Sequence, residues 1–366
     1  FFIFAGELMG GGGISKRLLN LANVFFGRIQ GGLAIVTVVV CMFFAAISGS
    51  GPATVAAVGG MVIPTMLEKG YDKKFVLALI AAAGSIGVII PPSIPMVIYA
   101  VTTNSSVSTL FLAGFVPGIL IGLVLIAYSY FYAQKMGYKG DDEPFSVKRA
   151  LRETKEGFWA ILSPVIILGG IFGGIFTPTE SAAVAVVYAL LVSLLIYKDI
   201  KIKDIPGIFV DGAISTATIL LLVGISKSSG YVITTSGLPH QVLEVFSSFT
   251  NSTVVILLLL NILFLVIGML MEANAAIIMM TPILLPLLDA FGIDPLQFGI
   301  MMSFNLCIGL VTPPVGICLL MTNQIAGARF VQTLKSVLPM LLIGIVVLML
   351  VTYIPQVTTF LPGLIK

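Results

Sequence analysis

The chain has 366 residues, 58% of them hydrophobic and only 10% charged, with a mean hydropathy of +1.13 and a formal net charge of +3. Such values exclude a soluble globular domain, and the small net charge is uninformative about nucleic acid; what matters is where the basic residues fall. Charge-free runs at Phe111–Ala133, Phe158–Phe176, Val254–Leu270 and Val337–Val351, set against the roughly 20 residues that a helix needs to cross a bilayer, leave room for about nine or ten membrane-embedded segments in an all-α polytopic membrane protein.

The chain opens on Phe1-Phe2-Ile3-Phe4, with no initiator Met and no signal-peptide pattern, as expected of a sequence that starts partway through a longer protein. Basic clusters at Lys16, Arg17 and Arg28, then Lys69, Lys73 and Lys74, bracket two apolar arms, Gly31–Ile47 and Pro52–Leu67. If both clusters are cytoplasmic, these arms enter and leave by one face. They count 17 and 16 residues, short of the roughly 20 of a full crossing, so a re-entrant helical hairpin with its tip at Ser48-Gly49-Ser50-Gly51 is expected. The next segment, Phe75–Thr103, crosses outward and is broken by Gly84, Gly87, Pro91, Pro92 and Pro95, because adjacent prolines remove backbone donors and disfavour helix before them.

Phe111–Ala133 brings the chain back to a charged stretch, Lys135–Glu156, in which an interfacial helix is expected around Val147–Phe158. Phe158–Phe176 then goes out, with Trp159 as an interfacial anchor, and Thr179 is the expected N-cap of the following helix, with Glu180 in its first turn. Ala182–Tyr197 returns to Lys198, Lys201 and Lys203. Ile208–Val232 crosses again, with Lys227 late in it and expected to snorkel or pair with a scaffold carboxylate rather than serve as a substrate counter-charge, and Ser236–Ser252 is an exterior loop holding the single histidine, His240, at the surface. A second hairpin, Val254–Leu288, has flanks without Lys or Arg, and Arg329 and Lys335 mark the cytoplasm once more. The three cysteines, Cys41, Cys307 and Cys318, have no metal-ligand spacing and read as buried packing residues.

Residues 64–122 and 286–344 repeat one another at a constant offset: 286−64, 313−91 and 344−122 all equal 222. Pro64, Gly70, Asp72, Gly87, Pro91-Pro92, Pro117 and Gly122 recur as Pro286, Gly292, Asp294, Gly309, Pro313-Pro314, Pro339 and Gly344. Most matches are Gly and Pro, so backbone geometry is what is repeated. The basic flanks of one hairpin and the uncharged flanks of the other make the repeat inverted, the plan by which many secondary carriers build a mid-membrane site. Unwound backbone frees carbonyl oxygens for an alkali cation, and half-helix N-termini present N–H groups to a carboxylate.

Three stretches carry a family resemblance: Ile47-Ser-Gly-Ser-Gly-Pro-Ala-Thr-Val-Ala-Ala-Val-Gly59, Gly87-Val-Ile-Ile-Pro-Pro-Ser-Ile-Pro95 and Gly174-Ile-Phe-Thr-Pro-Thr-Glu-Ser-Ala-Ala-Val184. Together they resemble the large membrane subunit of TRAP (tripartite ATP-independent periplasmic) transporters, over essentially the whole chain. The resemblance implies Na+-driven uptake of an organic acid, of the sialic acid or C4-dicarboxylate class, across the bacterial inner membrane. A periplasmic binding protein would deliver the substrate, a small membrane subunit would brace this one, and a hairpin-bearing transport domain would slide as an elevator. The implied organisation is a scaffold part at 1–30, repeat 1 at 31–110 (hairpin 31–67, broken helix 75–103), scaffold at 111–252, repeat 2 at 253–330 (hairpin 254–288, broken helix 296–325) and a scaffold helix at 331–366.

Carried over onto this sequence, one Na+ site would use Ser48, Ser50 and backbone at Gly87 and Pro91; the other would use Asn274 and backbone at Ala273, Gly309 and Thr312. Gly51, Pro92, Glu272 and Pro313 adjoin these positions and are the candidate substrate contacts. Glu272 stands where the offset places Ser50, so the two tips differ. Two Na+ moving with a monoanion carry one net charge, worth about 2.3 kcal/mol at ~100 mV, or roughly 50-fold accumulation. A stand-alone Na+/carboxylate symporter of the same plan is the alternative. One loop histidine and scattered carboxylates argue against a membrane enzyme, and the lack of repeated charged rings argues against a channel.

Overall fold

The computed structural model describes residues 1–11, 13–141 and 146–364; the side chains of Lys227 and Thr234 lie outside the described set, and with them the expectation about Lys227. Among the described residues the regular structure is entirely helical. In chain order the helices are α1 (Phe2–Gly11), α2 (Ile14–Phe26), α3 (Gly32–Ser48), α4 (Gly51–Glu68), α5 (Lys73–Ser85), α6 (Ile94–Thr103), α7 (Val107–Met136), α8 (Val147–Phe172), α9 (Pro178–Leu191), α10 (Ile205–Thr235), α11 (Leu238–Phe249), α12 (Thr253–Leu270), α13 (Ala273–Phe291), α14 (Pro295–Gly309), α15 (Ile317–Ile325), α16 (Phe330–Tyr353) and α17 (Gln356–Leu364). Seven of the described helices are long and apolar enough to cross a membrane. The protein is a multi-pass membrane protein.

The repeat is wider in structure than in sequence. Adding 222 to the bounds of α3 and α4 gives 254–270 and 273–290, which are α12 and α13 to within one residue. The same shift takes α2 to α11, α5 to α14, α6 to α15 and α7 to α16. Each copy is therefore an amphipathic helix, a helical hairpin, a broken segment and a long helix. Pro91-Pro92 and Pro313-Pro314 are both cis, in the same register.

Two hydrogen bonds fix the relative direction of the copies. Tyr99 Oη, near the end of the first broken segment, donates to the Pro295 carbonyl at the start of the second at 2.8 Å. Lys73 Nζ, at the start of the first, donates to the Ala326 carbonyl just past the end of the second at 2.8 Å. The broken segments are antiparallel. Packing between copies is reciprocal: α6 lies on α13 as α15 lies on α4, and α5 lies on α16 as α14 lies on α7. Such exchange is the mark of a two-fold relation. The axis passes where a residue meets its own counterpart, Cys307 Sγ against the Ser85 carbonyl at 3.0 Å, with 307−85 equal to 222. A small cavity of about 20 Å³ lies there, lined by Ala82, Ser85, Phe304 and Cys307 among others.

The basic clusters assemble at one end. Arg17 pairs with Asp199 and its guanidinium lies 3.7 Å from the Tyr197 ring centroid. Asp141 takes Lys69 on one carboxylate oxygen and Asn23 Nδ2 on the other, the latter at 2.9 Å. Loops expected on one side of the membrane thus bind each other. At the opposite end, Thr253 Oγ1 donates to the Phe291 carbonyl at 3.2 Å and Tyr353 Oη to the Val254 carbonyl at 3.0 Å.

Three expectations are corrected. The expected interfacial helix at Val147–Phe158 and the crossing after it are one continuous helix, α8: no Pro falls between Val147 and Trp159, and the one glycine there, Gly157, is tolerated within the helix. The expected exterior loop Ser236–Ser252 holds α11, whose Leu238, Val242, Leu243 and Phe246 share one face at helical spacing. His240, exposed as expected, sits on the first turn of that helix. Thr177, not Thr179, caps α9: its hydroxyl accepts from Glu180 N at 3.3 Å while Glu180 Oε2 accepts from Thr177 N at 2.8 Å, since Pro178 favours N1. The cysteines are buried and free, as expected.

The second layer consists of α1, α8, α9 and α10: α8 packs on α2 and α9, α9 on α1, and α10 on α1 and α13. α7 and α16 pack inside, against the broken segments.

Candidate functional site

Both hairpin tips reach one cavity of about 60 Å³. Tip 1 supplies Gly49, Ser50, Gly51 and Pro52; tip 2 supplies Glu272, Ala273 and Asn274; the broken segments supply Val88, Ile94, Pro95 and Leu310. Three helices, α4, α6 and α13, begin on its wall. All three termini carry a partial positive charge, but at α6 the Ile94 and Met96 N–H groups are taken by the Gly49 carbonyl and Ser93 Oγ and Pro95 has none, so free first-turn donors are left to α4 and α13; the lining has no Lys or Arg, and Glu272 is its one charged side chain.

Tip 1 is a closed hydroxyl cluster. Ser48 is buried, with its Oγ 3.0 Å from Thr54 Oγ1 and 3.3 Å from the Ser50 carbonyl. Thr54 Oγ1 donates to that carbonyl at 2.8 Å, and Ser50 Oγ caps α4 by accepting from Ala53 N at 3.4 Å. Gly49 turns the chain with φ +62°, and a Cβ there would stand 2.5 Å from the Pro92 carbonyl oxygen, so both the conformation and the space demand glycine. The Gly49 carbonyl accepts from Ile94 N at 3.2 Å, which binds tip 1 to its own broken segment. Gly87 lies on the Ser50 carbonyl, 2.6 Å from where its Cβ would be.

Tip 2 closes on itself. Glu272 caps α13, one carboxylate oxygen accepting from Ala275 N at 3.1 Å and the other from Asn274 Nδ2 at 2.8 Å. Asn274 Oδ1 is buried without a hydrogen-bond partner. A Cβ on Gly309 would meet the Gly268 backbone at 2.5 Å, so α12 and α14 touch main chain to main chain.

Of the residues singled out in the sequence, Ser50, Gly51, Glu272, Ala273 and Asn274 line the cavity. Ser48 and Gly87 stand directly behind tip 1, and Pro91 and Pro92 are buried beneath it. Gly309 lies behind tip 2 against Gly268. Thr312 and Pro313 are outside the lining; the Thr312 hydroxyl donates back to the Ile308 carbonyl at 2.7 Å. The sequence reading missed Thr54, although it stands one turn after Ser50 within the quoted motif, where its hydroxyl can only reach the tip. It also missed Val88, Ile94, Pro95 and Leu310, whose apolar side chains carry no chemical signal.

An apolar helical chain with two antiparallel copies, hairpin tips meeting in a central cavity and helix N-termini turned toward it, has the build of a membrane transporter permease. The family described as "Tripartite ATP-independent periplasmic transporter, DctM component" matches residues 1–357, and the chain belongs to that family. It is 46% identical over 363 residues to the isethionate TRAP transporter permease protein DctMQ of Oleidesulfovibrio alaskensis, covering 99% of this chain and 57% of that protein. It is 41% identical over 363 residues to the C4-dicarboxylate TRAP transporter large permease protein DctM of Pseudomonas aeruginosa, covering 99% of this chain and 85% of that one. To the sialic acid TRAP transporter large permease protein SiaM of Vibrio cholerae it is 37% identical over 364 residues, covering all of this chain and 85% of the relative.

Proposed function

We propose that this chain is the large permease subunit of a Na+-coupled carrier that takes an organic acid anion across the bacterial inner membrane. A periplasmic binding protein delivers the substrate and a small membrane subunit braces the permease. The observation that carries this reading is the cavity between the tips, where three helix N-termini meet a buried amide oxygen with no partner. Three relatives are named for isethionate, C4-dicarboxylates and sialic acid. All three are anions at neutral pH, which the helix termini suit.

Na+ fits the oxygen donors present. Ser48 Oγ, Ser50 Oγ, Thr54 Oγ1 and the carbonyl at Gly87 would hold it in copy 1; Asn274 Oδ1 with the carbonyls at Ala273 and Gly309 would hold it in copy 2. Na+ supplies positive charge beside the anion and couples uptake to the cation gradient. The hairpins are re-entrant in this reading, tips at mid-membrane, and the body carrying them moves as an elevator. The hairpins and broken segments are the moving part, and the scaffold takes in α1, α2, α7–α11, α16 and α17, as in the organisation the resemblance implies.

The test is uptake into proteoliposomes holding the whole complex, with the three named anions, with and without the binding protein. Uptake should require Na+ and the binding protein, and replacing Na+ by K+ should abolish it. Uptake unchanged in K+ sinks the coupling; uptake unchanged without the binding protein favours the stand-alone symporter.

A further inference from the structure

At one seam the two copies use opposite chemistry for the same fold. In copy 2, hairpin arm α12 meets α14 through Asn305 Nδ2, which donates to Asn261 Oδ1 at 2.7 Å and to the Met301 carbonyl at 3.0 Å. Asn261 Nδ2 donates onward to Thr352 Oγ1 on α16 at 3.0 Å, and Gln297 Nε2 to the Thr352 carbonyl at 2.7 Å. All four residues are buried. The positions 222 earlier are Val39, Ala83, Tyr130 and Phe75, and copy 1 builds its α3–α5 packing without any amide there. The fold does not demand these amides. They also carry a cost, because Asn305 Oδ1 is buried with no partner and forfeits its hydration without replacement.

What copy 2 lacks is the bond that holds tip 1. There the Gly49 carbonyl takes Ile94 N at 3.2 Å; among the described residues no hydrogen bond joins tip 2 to its own broken segment. Asn261 lies seven residues before Gly268 on α12, two turns along the same face, and Asn305 lies four residues before Gly309 on α14. The amide pair therefore sets how closely α12 lies on α14 where Gly268 meets Gly309, the contact from which tip 2 projects.

We propose that Asn305, acting through Asn261, is the positioning residue of the copy 2 cation site, doing from the hairpin arm what the Gly49–Ile94 bond does at tip 1. The proposal rests on the Na+ reading above. Its test is the double variant Asn261→Val with Asn305→Ala, which gives copy 2 the residues copy 1 already uses, in the whole complex in proteoliposomes. Loss of about one hydrogen bond's worth of positioning should raise the half-saturating Na+ concentration about fivefold. The cooperativity of the Na+ dependence should fall, the substrate KM at saturating Na+ should stay the same, and the melting temperature should hold or rise. Unchanged Na+ dependence with altered melting makes the amides structural and overturns the proposal. If the double variant does not fold, Thr352→Val, which removes only the far end of the chain of bonds, decides in the same two ways. Wild-type uptake indifferent to Na+ would instead refute the function proposed above, a result read before any variant is made.

Discussion

Tip 1 and tip 2 descend from the same repeated unit, yet they are held by different means. Tip 1 is fastened where it stands: the Ser48 and Thr54 hydroxyls share the Ser50 carbonyl, and Gly49 is bonded to the broken segment behind it. Tip 2 satisfies itself through Glu272, Asn274 and Ala275, and its attachment lies farther back, at Gly268–Gly309 and Asn261–Asn305. Exposure follows the same division. Pro91, Pro92 and Ser93 are buried, whereas their counterparts Pro313, Pro314 and Val315 are half-buried or exposed. A duplicated backbone can thus keep its path while the side chains divide the work, one tip rigid at its end and the other supported from its arm.

The comparison breaks most sharply at the glycines. Gly309→Ala pushes a Cβ into the Gly268 main chain and Gly87→Ala pushes one onto the Ser50 carbonyl, where backbone cannot yield. Each should cost about 3 kcal/mol and abolish uptake, checked by transport and by melting of the purified complex. Asn274→Ala removes the unpartnered oxygen and leaves Glu272 its bond to Ala275. The half-saturating Na+ concentration should rise about tenfold with little change in melting, a shift of roughly 1.4 kcal/mol. Thr54→Val deletes one hydroxyl from the tip 1 cluster, and a smaller rise, about fivefold, should appear in the same assay. A larger effect at Thr54 than at Asn274 would reverse the ranking of the two tips as cation sites.

The smallest effect should come from Asp141, far from both tips. Burial raises its carboxyl, but the hydrogen bonds from Lys69 and Asn23 outweigh this and hold it below its ordinary value of 3.8. The folded-state value is the lower one, so the clasp contributes stability above pH 3.8 and loses it as pH falls through the folded value. Asp141→Asn should cost within about 1 kcal/mol at neutral pH, measured by melting, because the pair is partly exposed and solvent screens it. Any change in Na+ dependence would tie this end of the molecule to the tips.

Much of this was legible in the sequence because glycine and proline report backbone directly. The offset of 222, both hairpins, both broken segments and five residues of the cavity wall follow from such positions. α11 was hidden because its apolar stripe is short and its other face polar, a pattern that reads as a loop among long apolar runs. α8 was divided because charge was taken to end a helix, whereas a helix carries charged residues without interruption and this one runs on even through Gly157 and Pro164. The Asn261–Asn305 bond was invisible because single amides in apolar helices carry no period, and only the fold brings α12 to α14.

Ser85 and Cys307 are the same position seen twice, facing each other across the axis. In a pair of separate identical chains, one gene position would set both sides of that contact and could place there only residues able to lie against themselves. Within one polypeptide the two positions are free to differ, so here a hydroxyl-bearing residue receives a thiol.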